Sequence, residues 1–151
     1  MEQQTIRSSG TLSAFLAQNA LPVQNQKVVV SPRFVDPQSG KPMEWELRAL
    51  TSQEDESLRR ACTKNVPVPG KKGHYLPQLD TNQYMAKMAV ACTVYPDLND
   101  SVLQDSYHVM GAENLLKTML LAGEYTDYLQ QVQSICGFDT SFQDKVDQAK
   151  N

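Results

Sequence analysis

The sequence predicts an α+β fold that is predominantly α-helical, with one N-terminal β-hairpin packed on a helical bundle. Two segments before residue 50 are rich in β-branched, aromatic and other strand-forming residues, and the second alternates apolar with charged positions. After residue 51 the apolar residues recur at helical spacing, and two helix-start motifs occur. With 151 residues, of which 40% are hydrophobic, the chain can bury a core without a metal or a disulfide.

Composition divides the chain into a central domain and two tails. Residues 1–10 are polar and offer little apolar surface to offset the entropy of ordering, so we expect a disordered tail. Residues 11–138 carry the periodic segments and are predicted to form a single domain. Residues 139–151 are predicted to be a short polar helix, around Phe142 and Val146, or a tail.

The N-terminal part of the domain is predicted to contain a short helix and the hairpin. Residues 11–19 place Leu12, Phe15 and Leu16 on one helical face, and Pro22 ends the segment. The predicted strands are Lys27–Ser31 and Met43–Ala49, with apolar residues at 43, 45, 47 and 49 on one face of the second. Because a lone hairpin is marginal in water, this face is expected to pack on helices.

The middle of the chain is predicted to be two helices joined by a loop. Thr51 and Glu54 have the spacing of a capping box and predict a helix to about Lys64. Asn65–Leu79 contains three Pro and two Gly, which predicts one long loop and a candidate partner-contacting segment. A second cap at Asp80 predicts a helix that continues to Tyr95 and ends at Pro96.

Three further helices are predicted in the C-terminal part. They cover Asp100–Tyr107, Ala112–Ala122 and Glu124–Cys136. Gly111 and Gly123 are expected to separate them, and Gly137 is well placed to end the last one in a left-handed conformation.

Charge and hydropathy exclude several classes of protein. Residues 1–79 carry ten Lys or Arg and seven acidic residues, whereas residues 80–151 carry four and ten. The acidic half would repel phosphate backbones, so we expect no nucleic-acid partner. The chain has no apolar run of the ~18 residues that a membrane span needs and no signal-peptide pattern, which predicts a cytoplasmic protein without membrane contact.

The chain is not expected to be an enzyme or to hold a metal or a cofactor. Cys62, Cys92 and Cys136 lie 30 and 44 residues apart, which is not the spacing of a zinc or redox motif, and they are predicted to be reduced and mostly buried. His74 and His108 belong to no catalytic arrangement. A thiolate pair between Cys62 and His74 stays open as an alternative and requires the long loop to fold back.

The apolar residues after position 112 are the candidate partner-binding residues, because they are more numerous than one narrow core stripe uses. The alternative interpretation of these apolar residues is that they belong to a helix buried on two sides. The candidate residues are Leu115, Leu116, Met119, Leu120, Tyr125 and Tyr128.

The order of these segments resembles the XkdN-like tail assembly chaperones of phages and phage-derived defective prophages. The matching stretches together extend over roughly residues 12–138. They are LSAFLAQN at 12–19, VVVSPRF at 28–34, GKPMEWELRALTS at 40–52, YPDL at 95–98, LQDSYHVMGA at 103–112 and MLLAGEY at 119–125.

The resemblance implies a non-enzymatic protein that binds the long, helical tape-measure protein in the host cytoplasm. Such a protein keeps its client soluble until tail-tube subunits polymerise, and is absent from the finished particle. The resemblance also implies several copies per client, with self-association, and a longer product made by ribosomal frameshifting, with which the C-terminal Ala149–Asn151 is compatible. The alternative function is a structural component of the phage tail.

Overall fold

The computed structural model describes residues 11–138, which form helices and two small antiparallel sheets. The predicted tails, 1–10 and 139–151, lie outside the described residues. The strands are β1 Gln26–Val28, β2 Trp45–Leu47, β3 Thr63–Pro67, β4 Tyr75–Leu79 and β5 Thr93–Tyr95. The helices are α1 Ser52–Ala61, α2 Thr81–Cys92, α3 Ser101–Ser106, α4 Ala112–Met119 and α5 Ala122–Ile135. The α+β class is confirmed.

The first sheet contains the predicted N-terminal hairpin and one further strand. Its order is β1-β2-β5, and all neighbours are antiparallel. Trp45 and Leu47 of β2 are buried and Glu46 between them is half-buried, so the alternation in the sequence correctly predicts the buried face. The hairpin was predicted without this third strand, β5, which pairs with the other edge of β2.

The strand β5 replaces the last turn of the helix predicted to reach Tyr95. Helix α2 ends at Cys92, and the Thr93 hydroxyl donates a hydrogen bond to the Ala89 carbonyl oxygen at 2.7 Å. Thr93 itself has extended backbone. Thr93 and Val94 are β-branched and Tyr95 is aromatic, so all three favour a strand. Pairing with β2 therefore stabilises a strand here, although the spacing of Tyr95 fits a longer helix.

The predicted loop at 65–79 is wrong: this segment is part of a second hairpin. Strands β3 and β4 pair in register from Thr63 opposite Leu79 to Pro67 opposite Tyr75. The Val68 amide donates to the His74 carbonyl oxygen at 2.9 Å. Because hydrogen-bonded and non-hydrogen-bonded pairs alternate along an antiparallel ladder, Pro67 and Pro77 both fall in non-hydrogen-bonded pairs, where a missing amide breaks no ladder bond.

The predicted capping box at the start of α1 is confirmed. The Thr51 hydroxyl accepts from the Glu54 amide at 3.2 Å, and the Glu54 carboxylate accepts from the Thr51 amide at 3.1 Å. Helix α1 ends at Ala61, three residues before the predicted end, because β3 begins at Thr63. Asp80 caps α2 as predicted, by accepting from the Gln83 amide at 3.1 Å.

The C-terminal helices agree with the prediction except at their junction. Helix α4 ends at Met119, and α5 begins at Ala122 with Leu121 as its N-cap, so Gly123 lies inside a helix and does not separate two. The Glu124 carboxylate accepts from the Leu121 amide at 2.9 Å and thereby sets this start. Gly137, with φ of 94°, follows α5 in the predicted left-handed conformation.

The helix predicted at 11–19 is wrong beyond its first turn. Residues 11–13 are helical, and turns follow. The side-chain amide of Asn19 donates to the Ser13 carbonyl oxygen at 2.8 Å and to the Ser13 hydroxyl at 3.0 Å. Short polar side chains that bond the backbone in this way compete with helical hydrogen bonds, which explains the early end.

The core lies between the three-stranded sheet and the helices packed around α2. Its buried side chains come from β2, from α2 and from the last two helices. Trp45 packs between Phe34 and Tyr128, with ring centroids 6.4 and 5.3 Å away. Helix α2 contacts α1, α4 and α5, so it is the central element of the bundle.

Candidate partner-binding surfaces

The structure places most of the six predicted contact residues in the core. The buried ones are Leu115, Leu116, Met119, Leu120 and Tyr128. Tyr125 is half-buried at the edge of the core. The structure does not test a partner-binding role for them, which stays a prediction. Their burial agrees with the alternative of a helix buried on two sides, and a partner could reach the five buried side chains only if α4 or α5 moved.

Leu121 is a large apolar residue of this region that is exposed to solvent. Its side chain is 62% exposed, and it follows the buried end of α4 and is the N-cap of α5. The junction around it is fixed by Arg33, which donates to the Met119 carbonyl oxygen at 2.6 Å and to the Glu124 carboxylate at 3.1 Å. Leu121 therefore projects from a rigid part of the fold.

The Glu124 carboxylate is the charged group that holds the junction between α4 and α5 together. Hydrogen bonding from the Ser31 side chain, the Leu121 amide and the Arg33 guanidinium lowers the pKa of Glu124 to about 2, from an ordinary 4.5. The carboxylate consequently stays charged at neutral pH and keeps all three partners in place. Because Ser31 and Arg33 follow β1, this contact ties the first sheet to the C-terminal helices.

The N-terminal arm, residues 11–25, is an exposed segment that is rich in large apolar side chains. All of its residues except Ser13 are exposed, and it contains no charged residue. Its large apolar side chains are 40–92% exposed and belong neither to the core nor to the half-buried side chains around it. They are Leu12, Phe15, Leu16, Leu21 and Val23. The first three were predicted to lie on one face of a helix; the absence of charge over fifteen residues was a signal that could have set this segment apart.

The second hairpin projects from the fold and is basic. Between Thr63 and Leu79 it carries three Lys and no acidic residue, and only Val66 and Leu79 in its strands are half-buried. Lys64 lies 4.0 Å from Asp80, whereas Lys71 and Lys72 in the turn form no ion pair with a described residue. Gly70 and Gly73, with φ of 77° and 80°, allow the tight turn that presents these two lysines.

The cysteines and histidines do not assemble a catalytic site among the described residues. Cys62 precedes β3 and His74 precedes β4, so the two lie at opposite ends of the hairpin, which excludes the alternative thiolate pair in this conformation. Burial raises the pKa of the Cys62 and Cys92 thiols, which disfavours the reactive thiolate. His108, with φ of 57°, occupies the left-handed position after α3.

Cys92 and Cys136 are neighbours that the sequence spacing did not reveal. Their sulfur atoms are 3.5 Å apart, at the adjacent C-terminal ends of α2 and α5, and both thiols are free. Within residues 11–138, no three His, Cys, Asp or Glu side chains are grouped as metal ligands. The described part of the chain also has no helix with the length and apolar character that crossing a bilayer requires.

Comparison with known families gives one match over nearly the whole chain. The model of the phage XkdN-like tail assembly chaperone protein family matches residues 12–150. Two relatives from Bacillus subtilis (strain 168) are similar over 143 residues, with 93% of each chain covered. The phage-like element PBSX protein XkdN is 29% identical, and the uncharacterized protein YqbN is 30% identical.

A solved structure agrees with the fold described above. The crystal structure of the protein YqbN superimposes with a TM-score of 0.71 at 26% identity, covering 84% of this chain and 96% of that one.

Proposed function

Because this chain belongs to the phage XkdN-like tail assembly chaperone family, we propose that it binds the tape-measure protein and keeps it soluble while the tail is assembled. The family is non-enzymatic. The proposed site of action is the cytoplasm of the bacterial host, and the chaperone is released before the particle is complete. A frameshifted longer form is a further part of this proposal, and it concerns residues 149–151, which the structure does not describe.

The observation that carries the proposal, beyond family membership, is the exposed N-terminal arm. A long helical client exposes apolar stripes that aggregate unless something covers them. An uncharged segment with five large exposed apolar side chains can cover such a stripe without burying an unpaired charge. Leu121 supplies a further apolar contact on a rigid part of the fold.

The exposed N-terminal arm is also consistent with reversible binding of the client. One arm buries little area, so the affinity of a single copy is expected to be modest. Several copies along one client raise the total affinity by multivalency, and each copy can still leave when a tail-tube subunit takes its place. The acidic C-terminal half of the chain, with ten acidic and four basic residues, favours solubility of the complex.

The test is co-expression with the proposed client, the long helical tape-measure protein. We expect the client to move from the pellet to the supernatant and to copurify with this chain. A client that is equally insoluble with and without the chain contradicts the proposal. A mass-spectrometric search of purified particles separates the two functions, because the alternative of a structural tail component requires the chain to be present there.

A further inference from the structure

We propose that Cys92 and Cys136 form a redox-active dithiol, which small-molecule disulfides oxidise to an intramolecular disulfide that joins helix α5 to helix α2. The proposal concerns the chain itself and is independent of the identity of the client. It rests on the distance between the two sulfur atoms, on the backbone contacts that hold them there, and on the different exposure of the two thiols.

The two thiols are in contact although they are far apart in the chain. Their sulfur atoms are 3.5 Å apart across a separation of 44 residues. Forming a disulfide requires the sulfurs to approach each other by only ~1.5 Å, which is within the reach of side-chain rotation. Cys62, the third thiol, is buried at the end of α1 and forms no sulfur–sulfur contact with a described residue.

The backbone is fixed on both sides of this contact. Arg48 donates from its amide to the Cys92 carbonyl oxygen at 2.8 Å, and from Nε to the preceding carbonyl oxygen at 3.1 Å. After Cys136, the Phe138 amide donates back to the Gln133 carbonyl oxygen at 2.9 Å and closes the end of α5. Because both backbones are held, the effective concentration of one thiol at the other is high.

The two thiols differ in their access to solvent. Cys92 is fully buried, whereas Cys136 is half-buried and lines a cleft of about 240 Å³ together with Leu50, Arg59 and Phe138. A small molecule that enters this cleft therefore meets Cys136 first. Cys92 is shielded from solvent and contacts Cys136, so it is placed to react with that sulfur and not with a second small molecule.

The bond closes in two thiol–disulfide exchanges. The Cys136 thiolate attacks one sulfur of a small disulfide such as oxidised glutathione, which forms a mixed disulfide and releases one thiol molecule. The Cys92 thiolate then attacks the Cys136 sulfur, which forms the Cys92–Cys136 bond and releases the second thiol molecule. The cysteines lose two electrons and two protons, and the small disulfide gains them as it becomes two thiols.

Cys92 is weakly reactive by itself, so closure of the bond depends on its proximity to Cys136. Burial raises the pKa of Cys92, and the neighbouring Cys136 raises it further, so little thiolate is present at neutral pH. Cys92 also lies at the C-terminal end of α2, where the helix dipole disfavours a negative charge. Its attack on the mixed disulfide is nonetheless favoured, because the target sulfur is its neighbour and no second molecule has to bind.

The disulfide is expected to hold α5 on α2. Helix α5 contributes Tyr128, Val132 and Ile135 to the core, and a partner can reach these side chains only if the helix moves. The bond also closes a loop of 44 residues, which lowers the entropy of the unfolded chain. Oxidation should therefore stabilise the fold and keep the buried face of α5 covered.

The test is titration of the full chain with mixtures of oxidised and reduced glutathione, followed by intact-mass spectrometry and peptide mapping. We expect the unchanged chain to lose two hydrogen atoms, to keep a free thiol at Cys62 and to yield a crosslinked peptide that contains Cys92 and Cys136. Its thermal midpoint should rise by about 5 °C or more. Hydrogen exchange at the amides in the last turn of α5 should slow. Cys62→Ala keeps the pair and should respond in the same way.

Single-cysteine variants separate the roles of the two thiols. Cys92→Ala should carry one stable glutathione at Cys136, because the second exchange is lost. Cys136→Ala should stay largely unmodified, because Cys92 is buried. Circular dichroism verifies that each variant is folded, and the crosslink in the unchanged chain decides the proposal even if a variant fails to fold.

Three results would overturn the proposal. One is a chain that stays reduced at every glutathione ratio, including oxidised glutathione alone. Another is glutathione adducts, or disulfides that join separate copies, without a Cys92–Cys136 bond. The last is an oxidised chain in which hydrogen exchange in α5 is unchanged, since the bond would then not hold the helix.

Discussion

The indole of Trp45 packs edge-to-face against the phenol ring of Tyr128, with centroids 5.3 Å apart and planes inclined at 68°. One ring comes from β2 and the other from α5, so this contact joins the sheet to the helical layer. The Tyr128 hydroxyl and the Thr93 hydroxyl are hydrogen-bonded, which brings β5 into the same junction. Burial raises the pKa of Tyr128, consistent with a phenol that stays neutral in the core.

The first prediction concerns this aromatic junction. Trp45→Ala removes a side chain that is 2% exposed and is expected to lower the free energy of unfolding by about 3–5 kcal/mol. Tyr75→Ala removes an aromatic side chain that is 61% exposed, and its effect should be under about 0.5 kcal/mol. Urea unfolding followed by circular dichroism measures both. Equal losses in the free energy of unfolding would mean that the second hairpin, which carries Tyr75, is as important to the core as β2.

The second prediction concerns the capping box of α1. Thr51→Ala leaves the Glu54 amide without its side-chain acceptor, so we expect a loss of about 1 kcal/mol in the free energy of unfolding. Thr51→Ser retains the hydroxyl and serves as the matched control. Urea unfolding of the two variants gives the comparison, and similar losses would show that the methyl group, not the hydrogen bond, matters.

The third prediction is a dependence of stability on acid pH. Hydrogen bonding from Arg48 and then from the Thr51 amide lowers the pKa of Glu54 to about 2, and the pKa of Glu124 is similarly about 2. Both folded-state values lie below the ordinary 4.5. Their contribution to stability is therefore complete above about pH 5 and is lost as the pH falls toward 2.

The E54Q/E124Q double variant tests this dependence. Its free energy of unfolding should fall less steeply between about pH 5 and 2 than that of the unchanged chain. Glu44→Gln is the control, because Glu44 is exposed and forms no ion pair with a described residue. Chemical unfolding at a series of pH values provides the measurement. An unchanged slope in the double variant would assign acid sensitivity to other groups.

Local sequence signals predicted the elements that local interactions determine. The cap at Thr51, the cap at Asp80 and the left-handed Gly137 each depend on residues within a few positions of one another. The alternation around Trp45 identified a buried face because a strand places every second side chain on the same side. These features could be derived before any tertiary contact was known.

The elements that sequence analysis missed depend on contacts between distant residues. The strand β5 exists because Thr93 and Tyr95 pair with β2, almost fifty residues earlier. The second hairpin was hidden by Pro67 and Pro77, which indicate a loop unless their place in non-hydrogen-bonded pairs is known. The sulfur contact between Cys92 and Cys136 likewise follows from the packing of α5 on α2.

The exposure of the candidate binding residues was the least predictable part, because apolar periodicity does not tell a buried face from an exposed one. Leu115 and Leu116 are fully buried, whereas Leu121 is 62% exposed. All three have the same chemistry and lie within seven positions. Their burial is decided by α2, which packs against α4 and α5 and is more than twenty residues earlier in the chain.

The fourth prediction tests which apolar residues bind the client and which only stabilise the core. Leu116→Glu places a charge in the core and is expected to unfold the chain, because burying an unpaired charge costs several kcal/mol. Leu121→Glu and Phe15→Glu place the same charge at exposed positions, so their thermal unfolding should match that of the unchanged chain.

The same variants are then compared in the co-expression assay with the tape-measure protein, the proposed client. Leu121→Glu and Phe15→Glu should leave a larger fraction of the client insoluble, because a carboxylate on the binding surface must be desolvated against an apolar stripe. Val102→Glu is the matched control, since it replaces another exposed apolar side chain with a carboxylate, on α3 and not on the arm or the α4–α5 junction. If both exposed variants solubilise the client as well as the control does, neither Leu121 nor the arm contacts it. The client must then bind through another surface, or through α4 and α5 residues that become exposed when these helices move.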